Sequence, residues 1–265
     1  MTEQLRVERD DRGVVTLTID RPEVRNAFGP DVMSAVRDAV RDLRDDTGVR
    51  VLVLTGAGDV FSAGADLTWM SAMAEGGYDD QVADSHQLDD LFHALDTFPA
   101  PVVARVNGHA LAGAMGLVAC ADIAVAVRGA KLGFTEAKLG LAPAVISTYV
   151  QPKIGVSNAR RYFLTGEVFD ADRALLMGLV HEVCERDELD DVMADVLDKV
   201  LAAGPNAQRQ IKELIPNVAA TTTPADAVRL TVPTIARLRM SDEGQAGMRA
   251  FLAKEPVPWA PERKG

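Results

Sequence analysis

Three short segments hold the residues whose types and spacing suit chemistry. Residues 61–67 read Phe61-Ser62-Ala63-Gly64-Ala65-Asp66-Leu67, and residues 107–116 read Asn107-Gly108-His109-Ala110-Leu111-Ala112-Gly113-Ala114-Met115-Gly116. Each follows an apolar, strand-like run and is built of residues small enough for a ligand to reach backbone N–H groups. Two such donors converging on one carbonyl oxygen stabilise an enolate or a tetrahedral oxyanion, and losing one donor typically costs about 10²–10³ in rate. A backbone N–H at a helix start points outward, unpaired, at the positive end of the macrodipole. Gly113 takes that place if a helix opens there, and Ala65 offers the second donor. The third segment, Thr135-Glu136-Ala137, supplies one carboxylate for proton transfer.

These residues need elements to position them. Val14 to Ile19 alternates apolar residues with Thr, the pattern of a half-buried strand. Val51-Leu52-Val53-Leu54, Val102 to Val106 and Ile123 to Val127 are continuous apolar runs, which suit strands covered on both faces. Leu179 to Val183 is a late strand. Between them, Asp31 to Leu43 sets Val32, Val36, Val40 and Leu43 on one helical face. Leu88 to Phe98 reads as a helix stopped by Pro99 and Pro101, and Gly113 to Ala121 as a short one. This alternation predicts an α/β architecture with largely parallel pairing. Trp69 to Gln87 contains Gly76-Gly77 and little periodicity; it reads as a wall of the substrate pocket or as a plain surface loop.

From Asp187 onward the signals are helical. A periodic stretch ends at Gly204, Pro205 and Pro224 each suit the opening of a helix, a kink is expected at Pro233, and Asp242 is placed to cap a last helix. This helical appendage packs either on a neighbouring subunit or as a lid on the core.

The formal net charge of −11 argues against broad nucleic-acid binding, which needs a basic surface. No apolar run approaches the ~20 residues of a membrane helix. The start, Met1-Thr2-Glu3-Gln4-Leu5-Arg6, has no signal-peptide pattern. Cys120 and Cys184 sit in apolar stretches and read as buried free thiols, which points to a reducing, cytoplasmic setting. The four histidines are scattered, and no Cys/His cluster has metal-ligand spacing, so no metal centre is expected.

The order of several motifs resembles the crotonase, or enoyl-CoA hydratase/isomerase, superfamily over nearly the whole chain. The landmarks are Asp20-Arg21-Pro22-Glu23-Val24-Arg25-Asn26-Ala27, the 61–67 segment, and Asn107-Gly108 through Cys120-Ala121-Asp122-Ile123. Leu139 to Pro143, Leu164-Thr165-Gly166, Ala174 to Val180 and Phe251-Leu252-Ala253-Lys254 continue the series. The resemblance implies a crotonase (ClpP-like) spiral of ββα units over residues 1–190, followed by a helical oligomerisation region over 191–265. It implies a homotrimer or homohexamer. The ligand would be an acyl-CoA thioester, so coenzyme A enters as part of the substrate and no separate cofactor is expected. Ala65 and Gly113 match the positions whose N–H groups hold the thioester oxygen. Ala63, Asp66, Leu67 and Thr68 match the region that binds adenine and pantetheine, Ala27 and Gly116 match further substrate-binding positions, and Phe251 would lie beside the ligand. Arg25 and Lys254, the latter across a subunit boundary, are candidate partners of CoA phosphates; a solvated charge is the other reading for both.

Glu136 matches the second of the two glutamates of two-carboxylate hydratases, while Gly116 occupies the position of the first. Asp122 lies nearby in sequence but resembles a structural residue at a helix–strand junction. Hydration of a 2-enoyl thioester needs water activated toward C3 and a proton delivered to C2. One carboxylate can do both in turn while the amide pair carries the enolate charge. Moving a double bond between the 3,4 and 2,3 positions needs only one base. The loss of a carboxylate thus leans toward isomerisation, whereas Leu139 to Ser147 and Asn158 to Thr165 resemble bacterial hydratases of methylglutaconyl-CoA and related branched acids. In such a substrate the distal carboxylate would partly replace the missing glutamate. Three functions follow: an enoyl-CoA hydratase, a Δ3,Δ2-enoyl-CoA isomerase using Glu136 alone, or a non-catalytic acyl-CoA-binding homologue. Trp69, Met70, Tyr149 and Tyr162 are candidates for the acyl pocket, Tyr162 reading more as packing. His109 reads as a structural histidine rather than an acid or base.

Overall fold

The structure is a computed structural model that describes residues 4–260. Residues 1–3, part of the segment read for a leader peptide, lie outside the described residues. The chain forms two compact units. One runs to Met193 apart from Pro99–Pro101; the other comprises Pro99–Pro101 and the chain from Ala194 onward. Within the second unit, Lys212 Nζ donates to the Ala100 carbonyl at 3.2 Å.

The first unit opens with strands β1 (Leu5–Arg9) and β2 (Val14–Ile19) and helix α1 (Pro30–Leu43). Strands β3 (Val51–Gly56) and β4 (Val60–Ser62), helices α2 (Leu67–Glu75) and α3 (Tyr78–Asp96), and strands β5 (Val102–Val106) and β6 (His109–Leu111) follow. Next come α4 (Ala114–Cys120), β7 (Ile123–Val127), β8 (Lys131–Gly133), α5 (Ala144–Thr165), β9 (Val168–Asp170), α6 (Ala171–Leu176), β10 (Glu182–Cys184) and the start of α7 (Leu189–Leu201).

The apolar runs pair as their composition demands. One sheet has the order β1-β2-β3-β5-β7-β10, parallel throughout except for the antiparallel β1–β2 hairpin. Every residue of β3 is buried, as expected for a strand covered on both faces. The second sheet, β4-β6-β8-β9, uses strands of three residues each. Its first three strands run parallel, so the segments leaving β4, β6 and β8 emerge at one edge. Helix α4 is buried along its entire length and packs against α3 and α5. Cys120 and Cys184 are both buried, and no disulfide links them.

Three expectations are corrected. Trp69 to Gln87 is not a loop: α2 and α3 cover it, broken only at Gly76-Gly77. Asp66 caps α2 by accepting from Thr68 N at 2.8 Å, and Asp80 accepts from Gly77 N at 3.0 Å. Helix α2 buries none of its residues, so it writes no apolar stripe into the sequence. The late strand is β10 and begins at Glu182; Leu179 to His181 precede it, with His181 N bonded to the Ala124 carbonyl.

The third correction lies in the helical unit, which holds the end of α7, α8 (Pro205–Ala219), α9 (Pro224–Met240) and α10 (Asp242–Ala253). Pro205 and Pro224 sit at the openings of α8 and α9, where a missing N–H costs nothing. Ser241, not Asp242, caps α10: its hydroxyl accepts from Gly244 N at 3.1 Å, and Asp242 falls inside the first turn. No helix among the described residues is long and apolar enough to cross a membrane.

Candidate active site

The first donor segment is shaped by its pairing with Phe28. Phe28 N donates to the Gly64 carbonyl at 2.9 Å, and Asp66 N donates to the Phe28 carbonyl at 3.0 Å. In this parallel bridge, Phe28 takes its bonds from the residues on either side of Ala65. The Ala65 amide therefore points away from Phe28 and meets no acceptor among the described residues. Gly64 has φ +91, and a Cβ there would stand 2.6 Å from the Leu111 carbonyl oxygen. Only glycine lets the two donor segments approach this closely. Ser62, fully buried, fixes the turn by donating to the Asn26 carbonyl at 2.8 Å and accepting from Gly64 N at 3.1 Å.

The second donor segment leaves β6 through Ala112, held at φ +49 with its N–H bonded to the Gly133 carbonyl at 2.8 Å. Gly113 is the cap residue of α4, and its amide meets no acceptor among the described residues. The ring of Phe28 lies beneath it: a Cβ on Gly113 would be 3.1 Å from Phe28 Cζ.

The Ala112–Gly133 bond also ties this donor to the carboxylate, because the chain runs from Gly133 through Phe134 and Thr135 directly to Glu136. Glu136 opens a short 3-10 turn, Glu136–Leu139. Its Oε2 is buried and has no hydrogen-bond partner. Burial raises the pKa of this carboxyl above the ordinary glutamate value, opposed only by its own backbone amide. A half-buried carboxylate with an unsatisfied oxygen and a raised pKa is suited to taking and returning a proton.

At Gly116 the fold has filled the space from within. A Cβ there would lie 2.5 Å from Phe92 Cζ and 2.7 Å from Ile146 Cγ2, and both residues are buried. A substrate carboxylate placed there would have to displace apolar side chains. Asp122 accepts from Val102 N at 2.7 Å at the start of β5, a structural contact.

Arg21 links the donor region to its surroundings, contacting the Asp66 carboxylate at 2.9 Å and the Ala27 carbonyl at 2.8 Å. Partial burial pushes the Asp66 pKa up, but the Thr68 amide and Arg21 outweigh it and hold the carboxyl below its ordinary range. Ala27 is buried and Ala63 half-buried, while Leu67 and Thr68 are exposed beside the first donor. Arg25 is exposed in the left-handed region, at φ 57, and its guanidinium meets no partner among the described residues. Phe251 and Lys254 belong to the second unit; Phe251 is exposed and Lys254 ends α10 at φ 58.

His109 Nδ1 accepts from Lys131 N at 2.9 Å. Burial, and after it the charges of Lys131, Arg186 and Arg25, lower its pKa. Tyr162 is buried with its hydroxyl bonded by Arg173 Nε at 2.8 Å, a packing role. Tyr149 donates to Asp89 Oδ1 at 2.9 Å, and burial together with that carboxylate raises its pKa. Trp69 Nε1 reaches Asp84 Oδ2 at 3.4 Å, while Met70 is half-buried on α2. Among the described residues no group of three or more His, Cys, Asp or Glu could hold a metal ion.

Sequence reasoning passed over Phe28, which braces both donor segments, and the Phe92–Ile146 pair beside Gly116. Asn26 and Asn107 have structural roles that the sequence alone does not show. Each is buried, and together their side-chain amides donate to four carbonyls between Gly56 and Val60, the turn feeding β4.

Known proteins resemble this chain in sequence and fold. A sequence profile of the enoyl-CoA hydratase/isomerase family matches residues 9–262. A solved enoyl-CoA hydratase from Shewanella pealeana superposes with a TM-score of 0.92 at 36% identity, covering 97% of this chain and 96% of its own. The crotonyl-CoA hydratase of Syntrophomonas wolfei is 30% identical over 254 residues, 95% of this chain and 96% of that protein. The trans-2-decenoyl-acyl-carrier-protein isomerase of Streptococcus mutans is 30% identical over 207 residues, 77% of this chain and 79% of that protein. The chain has the crotonase fold and belongs to the enoyl-CoA hydratase/isomerase family of enzymes.

Proposed function

We propose that this enzyme hydrates a 2-enoyl-CoA thioester. The amides of Ala65 and Gly113 receive the thioester oxygen and carry the enolate charge. Glu136 draws a proton from water as its oxygen bonds to C3, then returns that proton to C2. The observation that carries this reading is the buried, unpartnered Oε2 of Glu136, whose pKa burial raises. A carboxyl whose pKa burial raises gives and takes its proton at a higher pH than a solvated one. The names of the Shewanella and Syntrophomonas relatives support the same reaction. Coenzyme A would extend past Ala63, Asp66, Leu67 and Thr68, with Arg25 toward its phosphates. Exposed apolar side chains on α8 and α9, including Ile211, Ile215 and Val232, support assembly into a trimer or hexamer.

A second reading is Δ3,Δ2-isomerisation, with Glu136 alone moving a proton between C2 and C4. The apolar filling around Gly116 favours it, since no second carboxylate enters there. Incubating 2-enoyl-CoA and 3-enoyl-CoA esters separately decides between the two. Hydration gives a hydroxyacyl-CoA from the former; isomerisation gives a shifted double bond from the latter without gain of water. Under either reading Glu136→Gln loses at least ~10²-fold in rate. A variant as active as wild type on both esters refutes both.

A further inference from the structure

We propose that Phe92 and Ile146 are specificity-determining residues that confine this site to one-carboxylate chemistry, by filling the volume a side chain at position 116 needs. The inference rests on the reading of Glu136 as the acid–base group. Gly116 follows Gly113 by three residues, so it lies on the same side of α4, one turn beyond the amide donor. Its backbone does not lie in the left-handed region, so conformation does not demand glycine there, and a helix interior ordinarily prefers alanine.

Space demands it instead. A Cβ at 116 would stand 2.5 and 2.7 Å from Cζ and Cε1 of Phe92, and 2.7 Å from Cγ2 of Ile146. Neither neighbour is free to yield. Phe92 is fully buried on α3, and its ring meets Tyr149 edge-on with centroids 5.7 Å apart. Tyr149 is in turn fixed by its hydrogen bond to Asp89, one turn before Phe92 on the same helix. Ile146 sits on α5, one turn before Tyr149, and is equally buried. A carboxylate introduced at 116 would be pressed against apolar atoms, where ionisation is strongly disfavoured. The α4 face beside the amide donor is thereby closed to charge, and proton traffic is left to Glu136.

Two double-mutant cycles on the full chain test this. In the first, Gly116→Ala lowers Tm by about 2–6 °C in the native background, as overpacking does. In a Phe92→Leu background the same change lowers Tm by less, because only the contact with Ile146 Cγ2 remains. A rise in Tm from Gly116→Ala alone overturns the proposal. In the second, Gly116→Glu alone adds no titration to the kcat/KM pH profile. Combined with Phe92→Ala it adds a second limb and hydrates about tenfold faster than Phe92→Ala, a modest share of what a positioned proton donor contributes. A new limb in Gly116→Glu alone, or none in the combination, contradicts the inference. If the hydratase reading alone is wrong, wild type hydrates nothing while the Tm coupling stands.

Discussion

Phe28 Cζ lies 3.1 Å from the point where a Cβ on Gly113 would stand, while the backbone of Phe28 bonds to the residues flanking Ala65. One fully packed residue thus sets the height of the second amide and the direction of the first. Phe28→Leu keeps an apolar side chain but withdraws the ring edge from under Gly113. Small displacements of a reacting geometry are expensive, so kcat/KM should fall by at least about tenfold, with Tm lowered by a few degrees at most. Steady-state kinetics beside a thermal melt check this. An unchanged kcat/KM removes Phe28 from the account.

The raised pKa of Glu136 makes a prediction about pH with a definite sign. Below the ordinary glutamate range the carboxyl is neutral folded or unfolded, and burial costs nothing through ionisation. As pH rises from that range through the raised folded value, the unfolded state releases its proton first and the native state loses stability. Glu136→Gln removes this loss, so the Tm of the variant should equal or exceed that of wild type at neutral pH and converge with it in acid. The acidic limb of the wild-type kcat/KM profile should lie above the ordinary glutamate range and vanish in the variant. Parallel melts and rate profiles from acid to neutral pH read both effects.

Asn26 is fully buried at φ 55, with its side-chain amide on the Ala57 and Val60 carbonyls at 2.8 and 2.7 Å. Its Oδ1 accepts from Arg21 N at 3.0 Å. Asn26→Ala strands these groups and places alanine in a backbone region it disfavours. A loss of about 3 kcal/mol or more is expected, each unsatisfied buried group costing roughly 1–3 kcal/mol. Denaturant unfolding measures it; a change below about 1 kcal/mol refutes the latch.

Asp66 caps α2 and meets Arg21 in a half-buried contact. Asp66→Ala should cost about 1–2 kcal/mol, in the range of lost helix caps. Because the folded pKa is lowered, this stability is present above the ordinary carboxylate range and fades as pH falls through the lowered value. The gap in Tm between variant and wild type should therefore narrow in acid, and a gap that widens contradicts the assignment.

What the sequence revealed and what it hid follow from physics at particular residues. Val51 to Leu54 and Ile123 to Val127 were legible because strands covered on both faces write unbroken apolar runs. The strands of the second sheet, such as Val60–Ser62 and His109–Leu111, are three residues long, too short to display a period. Helix α2 went unread because it buries nothing. The small residues of the donor segments and the carboxylate at 136 stood out by type. The ring beneath Gly113 and the filling around Gly116 depend on residues distant in sequence, and no local pattern encodes such contacts.

The amide pair is the centre of this account, and a crystal structure with a bound acyl-CoA or a non-hydrolysable analogue tests it most directly. The thioester oxygen should lie within about 2.7–3.1 Å of the backbone nitrogens of both Ala65 and Gly113, with Glu136 facing the C2–C3 bond. A thioester oxygen seated away from either nitrogen, or a ligand whose reactive carbons lie beyond the reach of Glu136, would contradict it.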